Sequence, residues 1–220
     1  MKTVGSAMIE VGKQAVSGFG EFEQLEGGVQ KLFGDDVKDT VIKNANDAFK
    51  TAGMSANEYM ETVTGFSKSM IVSLNGDTKK AAELSDQALR DMSDNANTFG
   101  TDMQSIQNAY SGFAKGQFNM LDNLKLGYGG TKTEMERLLK DAEKLSGKKY
   151  DVSNFADITE AIHQIQVASN IAGTTQAEAM GTIEGSINAT KSAWSNLITG
   201  LATDGADLSQ LVMNLFSSLV

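Results

Sequence analysis

The sequence predicts an all-α fold, a multi-helix bundle of about seven to nine amphipathic helices joined by glycine-containing turns, with no substantial sheet. Three observations carry this. None of the 220 residues is proline, where average usage of ~5% would supply about eleven, and proline costs ~3 kcal/mol inside a helix. Ala, Met, Leu, Lys, Gln and Glu, which lose little on entering a helix, are prominent. Apolar residues recur at steps of three and four through most stretches between glycines.

Taken in order, Val4, Met8, Val11, Ala15, Phe19, Phe22 and Leu25 lie on one helical face, and Gly27-Gly28 is expected to end it. Gly5, Gly12, Gly18 and Gly20 each weaken that helix by ~1 kcal/mol against Ala. A second helix is expected over Asp36–Ala52, with Asp35 or Asp36 as N-cap and Gly53 as its stop. Ser55 and Glu58 have capping-box spacing and open a third helix reaching about Leu74. Asn75-Gly76-Asp77 is turn chemistry, since Asn and Gly tolerate positive φ. A fourth helix covers about Thr78–Asn97, with Ala82, Leu84, Ala88, Leu89 and Met92 inward.

Thr101 and Gln104 form another capping box ahead of the stripe Met103, Ile106, Tyr110 and Phe113. Asp122 to Gly130 reads as a loop of roughly ten residues. Helix resumes at Thr133, with Met135, Leu138, Leu139, Ala142 and Leu145 inward and Gly147 as its stop. Phe155, Ile158, Ile162, Ile165 and Ala172 mark the next. Met180, Ile183, Ile187, Thr190, Trp194, Leu197 and Leu201 alternate threes and fours over three heptads, the period of a coiled-coil or bundle seam. Gly181, Gly185, Ala189 and Ala193 form a neighbouring ridge that lets another backbone approach. Leu208, Leu211, Val212, Leu215 and Leu219 complete an amphipathic end that stops at Val220 without a helix-stop signal, which predicts that the natural chain continues.

Gly53-Met-Ser55, Gly100-Thr101 and Gly173-Thr-Thr175 each set a glycine stop before a capping box. The intervals are unequal, so this is a repeated helix–turn–helix device and not a solenoid of fixed period. The expected organisation is an N-terminal helix over 1–28, a globular helical domain over 29–202 and a C-terminal amphipathic helix over 203–220.

Composition removes several function classes. The formal net charge of −9 argues against an electrostatic grip on nucleic acid. Without cysteine there is no disulfide, thiolate nucleophile or Cys-ligated metal, and a single His excludes every two-His metal motif. No run approaches the ~18 apolar residues of a membrane span, and Glu10, Lys13 and Gln14 interrupt any signal-peptide core.

Four motifs invite chemistry. Gly127-Tyr-Gly129-Gly130-Thr131-Lys132-Thr133 suggests a phosphate loop, but Thr131 separates Gly130 from Lys132, no strand precedes it, and a flexible interhelical loop is the better account. His163 with Glu160 one turn earlier could orient an imidazole, yet Gly65-Phe-Ser67-Lys-Ser69 lacks the last glycine of a nucleophile elbow. A boundary histidine with a surface link to Glu160 is expected. Asp91-Met-Ser-Asp94-Asn95-Ala96-Asn97 resembles a calcium-loop fragment without its sixth-place glycine, and reads as a frayed polar helix end. Trp194, the one tryptophan, is expected in the core, with anchoring of a partner helix as the rival role.

Whole blocks of the chain resemble the conserved helical region of tail tape measure proteins, chiefly of long-tailed phages and prophages of Gram-positive bacteria. They are Phe22 to Phe33, Ile106 to Lys115, Met120 to Leu139, which is the most specific, and Ile183 to Leu201. The resemblance implies a virion component in the tail lumen, made in the host bacterial cytoplasm, that acts in tail assembly, length determination and genome ejection. Its implied partners are the tail tube protein, tail assembly chaperones and baseplate or distal tail proteins, with self-association left open. It carries over no catalytic residue, cofactor-binding residue or metal ligand. Trp194, Leu197, Leu201, Leu211 and Leu215 are the candidate partner contacts. Members of the family are several times longer and contain extended rods. An unbroken helix of 220 residues would span about 330 Å, but the glycine stops forbid it, so a folded module is expected, a fragment of a longer chain. The rival readings are an exported bacterial helical-bundle or toxin-delivery domain and, behind it, a cell-wall hydrolase accessory domain.

Overall fold

The computed structural model describes the backbone of residues 4–181, 183–203 and 205–218, and side chains over 15–178, 189–203, 205–215, 217 and 218. Among the described residues there are ten α-helices and one 3-10 turn, and no strand. The helices are α1 Val4–Phe33, α2 Asp35–Thr51, α3 Ala56–Ser73, α4 Thr78–Phe99, α5 Met103–Phe113, α6 Lys132–Ser146, α7 Phe155–Ala168, α8 Thr174–Gly181, α9 Ile183–Gly200 and α10 Leu208–Ser217. The multi-helix bundle expected from the sequence is present. The count exceeds nine because Thr174–Gly181 is a helix of its own ahead of α9.

One apolar core runs from the C-terminal half of α1 through α7. Val29 and Phe33 meet a cluster that includes Tyr59 and Met70 of α3, Leu89 and Met92 of α4, Tyr110 of α5, Leu138 of α6 and Ile162 of α7. Outside this body, α9 packs on α1 and α2 and is flanked by α8 and α10.

Helix α7 ends at Ala168, short of the expected Ala172, and three further boundaries differ from the sequence reading. Helix α1 does not end at Gly27-Gly28 but continues to Phe33. Two mid-helix glycines cost ~1 kcal/mol each, and fully burying Val29 and Phe33, at roughly 1.5–3 kcal/mol per side chain, outweighs them. The N-cap of α2 is Gly34, with φ at +82°, and not Asp35 or Asp36. Those two carboxylates sit inside the first turn, where the helix dipole favours negative charge.

The third correction concerns α5. Its N-cap is Asp102, whose carboxylate accepts the Ser105 N–H at 3.0 Å. Thr101 Oγ1 is buried without a partner. Asp102→Ala is therefore expected to lower stability by about 1 kcal/mol, with Thr101→Val within about 0.5 kcal/mol. Urea unfolding of the two variants checks this, and the reverse order would restore Thr101 as the cap.

Several other stops and caps are as read. Ser55 and Glu58 form both halves of a capping box. Asn75 and Gly76 turn the chain at positive φ, and Asp77 caps α4. Gly147 closes α6 in the left-handed conformation, although Leu145 in its last turn is exposed and not inward. The expected loop over 122–130 starts on a 3-10 turn, Leu121–Leu124, which drives Leu121 and Leu124 into the core. No helix among the described residues is long and apolar enough to cross a membrane.

Candidate functional site

The residues singled out as partner contacts lie on α9 and α10. On α9, Ala189, Ser192, Ala193, Asn196 and Gly200 are buried, and at 100° per residue they share one face. That face is small and polar, and it meets unpaired backbone at the α2–α3 turn. Ser192 Oγ donates to the Gly53 carbonyl at 3.0 Å, and the Ala56 N–H, at the start of α3, donates to Asn196 Oδ1 at 2.8 Å. Gly18 permits the close approach of α1, since a Cβ there would stand 2.6 Å from Thr199 Oγ1.

The apolar stripe points the other way. Trp194 and Leu201 are 48% and 53% exposed, so Trp194 is not a core residue, contrary to the expectation. Leu197, Leu211 and Leu215 are half-buried. Helix α10 runs antiparallel to α9: Thr190 Oγ1 donates to the Ser218 carbonyl at 2.9 Å, and Leu211 closes on Gly200 at the other end. Leu208 and Val212, on the apolar stripe read for α10, are exposed together with Met213. The ridge is packed as expected at Ala189 and Ala193. The side chains of Met180, Gly181, Ile183, Gly185, Ile187 and Leu219 lie outside the described residues.

The polar run at the end of α4 is not a frayed end. Asp91, Ser93, Asp94 and Asn95 are all buried, and each ties a different segment to α4. Asn95 Nδ2 donates to the Leu124 carbonyl at 2.8 Å, and Ser93 Oγ donates to the Ala52 carbonyl at 2.8 Å. Asp94 accepts the Gly173 and Thr175 N–H groups at 2.6 and 2.8 Å, which caps α8 from another helix. Thr175 is therefore not the local cap of α8; its hydroxyl lies 3.1 Å from Ser93 Oγ.

His163 also belongs to this cluster. Its Nδ1 lies 2.9 Å from Asp91 Oδ1, and Gln87 Nε2 donates to the same oxygen at 3.2 Å. The hydrogen bond to Asp91 raises the imidazole pKa above its ordinary value, against the opposing effect of burial. Burial pushes the Asp91 carboxyl up, and the His163 bond opposes that. The expected partner, Glu160, instead meets Lys148 Nζ at 2.5 Å. Near this pair the Tyr110 hydroxyl is fully buried and unpartnered, and burial holds its pKa well above the usual range. The imidazole Nδ1 thus already faces a carboxylate as its hydrogen-bond partner.

The Gly127–Thr133 loop has no vacant phosphate cradle. The Gly129 N–H is taken by Glu134 Oε2 at 3.0 Å, Lys132 pairs with Glu136 at 3.9 Å, and Thr131 caps α6. Arg137 donates to the Gly127 carbonyl at 2.8 Å and stacks over Tyr128. The loop is clamped by its own helix. A Cβ at Gly130 would stand 2.5 Å from the Asn119 carbonyl oxygen, so glycine is required by close backbone approach.

A groove of about 1130 Å³ opens between α3, α4, α5 and the α8–α9 pair, lined by Glu61, Thr62, Asn97, Gln104, Gln107 and Lys191 among others. Its walls offer amides, hydroxyls and carboxylates, and His163 is not among them. No group of three or more His, Cys, Asp or Glu able to hold a metal ion occurs among the described residues.

No family model, no curated protein and no solved structure matches this chain.

Proposed function

We propose that the chain is a non-enzymatic virion component, an all-α segment of a tail tape measure protein that acts in tail assembly, length determination and genome ejection by helix packing. The observation that carries this reading is the set of four sequence blocks between Phe22 and Leu201, above all Met120 to Leu139. Two structural facts support it. The described residues are divided into ten helices, the longest of 30 residues, which suits a folded module and not the measuring rod. Its most exposed large apolar side chains include Trp194, Leu201 and Met213 at the α9–α10 edge, where a helical partner can bury them.

The proposed partners are the tail tube protein, tail assembly chaperones and baseplate or distal tail proteins. Co-expression of the chain with each of these in turn, followed by affinity capture, is expected to retain at least one. Trp194→Ala/Leu201→Ala is expected to reduce that retention about tenfold or more, as loss of an aromatic anchor does. Failure of all three classes to co-purify, with secretion genes neighbouring the reading frame, would replace this reading with the export-domain one.

A further inference from the structure

We infer that α8, α9 and α10 form a strap that undocks from the α1–α7 body as a unit, and that Asp94 is its latch. The inference does not depend on the function proposed above. It starts from where the apolar core stops. Among the described residues every member of the continuous core lies between Val29 and Ile165, and none belongs to α8, α9 or α10. Among the described strap side chains the buried apolar ones are Ala189, Ala193 and Ile198. Two of those three are single methyl groups, which lose little on re-entering water.

Among the described residues the strap is held chiefly by polar ties. Ser192 bonds Gly53, Asn196 bonds Ala56, Thr98 Oγ1 lies 3.2 Å from Thr174 Oγ1, and Ser93 meets Thr175. Water replaces such bonds at small net cost, because their strength in the fold is offset by solvation of the separated groups. A layer docked this way opens at a free energy well below global unfolding, as a contiguous cooperative unit. Buried apolar area sets the stability of the body, and the described strap side chains contribute little of it.

Asp94 is the exception among these ties. Its buried carboxylate accepts two N–H groups at the start of α8, a charge-assisted pair that completes the helix N-terminus from outside. The connection between α7 and α8 is a ready pivot, with Asn170 at φ +56° and Gly173 at φ +86° on either side of the buried Ile171. Release would uncover the α2–α3 turn and the glycine face of α1 at Gly18.

Hydrogen exchange read by mass spectrometry on the full chain tests this. The expected result is a common exchange rate over α8–α10 at least tenfold faster than over α3–α7, after correction for intrinsic rates. Asp94→Ala should raise exchange in α8–α10 a further ten- to a hundredfold and leave α6 and α7 within about threefold. Since the chain has no native cysteine, Ser93→Cys/Thr175→Cys places one disulfide across the latch. Oxidising it should slow α8–α10 alone and reduction should restore the rate, a readout that stands if the Asp94 variant fails to fold. Equal protection of strap and body, or equal acceleration of both by Asp94→Ala, would overturn the inference. So would an oxidised disulfide without effect on α9 and α10.

Discussion

Phe33→Ala is expected to lower the unfolding free energy by about 3–5 kcal/mol, the range for truncating a buried aromatic. It should appear as a reduced urea midpoint with an unchanged slope. Phe33 is 2% exposed in the last turn of α1, in one cluster with Val29 and Val37. The chain reverses directly afterwards at Gly34, whose left-handed backbone lets α2 fold back on α1. The alanine would leave a cavity at the corner where α1, α2 and the body meet, and helix ends locked by Gly34 have little freedom to collapse into it. Val16→Ala, at a site 69% exposed on the same helix, should change stability by no more than about 0.5 kcal/mol. A Phe33 variant as mild as the Val16 variant would mean that residues beyond Gly28 connect helices and do not build the core.

Phe33 also shows what local pattern conveys. The sequence stripe stopped at Gly27-Gly28 because helix propensity is summed locally, whereas the term that carries α1 across those glycines is burial against α2 and α3. Local chemistry was legible where the partners are close in sequence: the Ser55–Glu58 box, the Asn75-Gly76 turn, and the left-handed stops at Gly53, Gly100 and Gly147. The inward faces of α5 and α6 were legible too, because Ile106, Tyr110, Met135 and Leu138 keep strict helical spacing.

Long-range polar packing was not legible. Asp91, Ser93, Asp94 and Asn95 look solvated in sequence because every partner that justifies their burial lies at least 29 residues away, apart from Gln87 on the same helix. Their one local signal was density: four side chains able to bond in five positions on an otherwise amphipathic helix. The orientation of α9 failed for a related reason. An apolar heptad stripe and a small-residue ridge were both present, and hydropathy favoured the stripe. Close approach to backbone at Gly53 and Ala56 requires the small, polar face instead, which turns Trp194 and Leu201 outward.

Stability is expected to fall as pH rises above about 6.5, and Asp91→Leu/His163→Leu, which removes both titrating groups, is expected to remove most of that slope. The protonated imidazole donates to Asp91, and Asp94 and Glu160 add attraction, so the folded protein holds the proton more tightly than the unfolded chain. A folded pKa above the unfolded one gives stabilisation that is complete below the unfolded value and lost as pH climbs through the folded one. Asp91 has the same sign: burial raises its pKa, so its ionisation weakens the fold, and the His163 cation is what offsets that cost. Removing the imidazole leaves a fully buried carboxylate with Gln87 as its remaining side-chain donor. The cost at pH 7 should be about 3 kcal/mol, the low end for breaking a buried pair, because the ring is partly solvated and Asp91 can take up a proton. Asp91→Leu/His163→Leu removes both charges and should be less destabilised than His163→Leu alone, since replacing a whole pair by apolar groups is often near neutral. Urea midpoints at pH 5.5, 7 and 8.5 for the three proteins decide the matter. A wild-type slope surviving in Asp91→Leu/His163→Leu would place the titration elsewhere. Strictly additive losses in the double variant would show that Asp91 and His163 contribute separately and not as a pair.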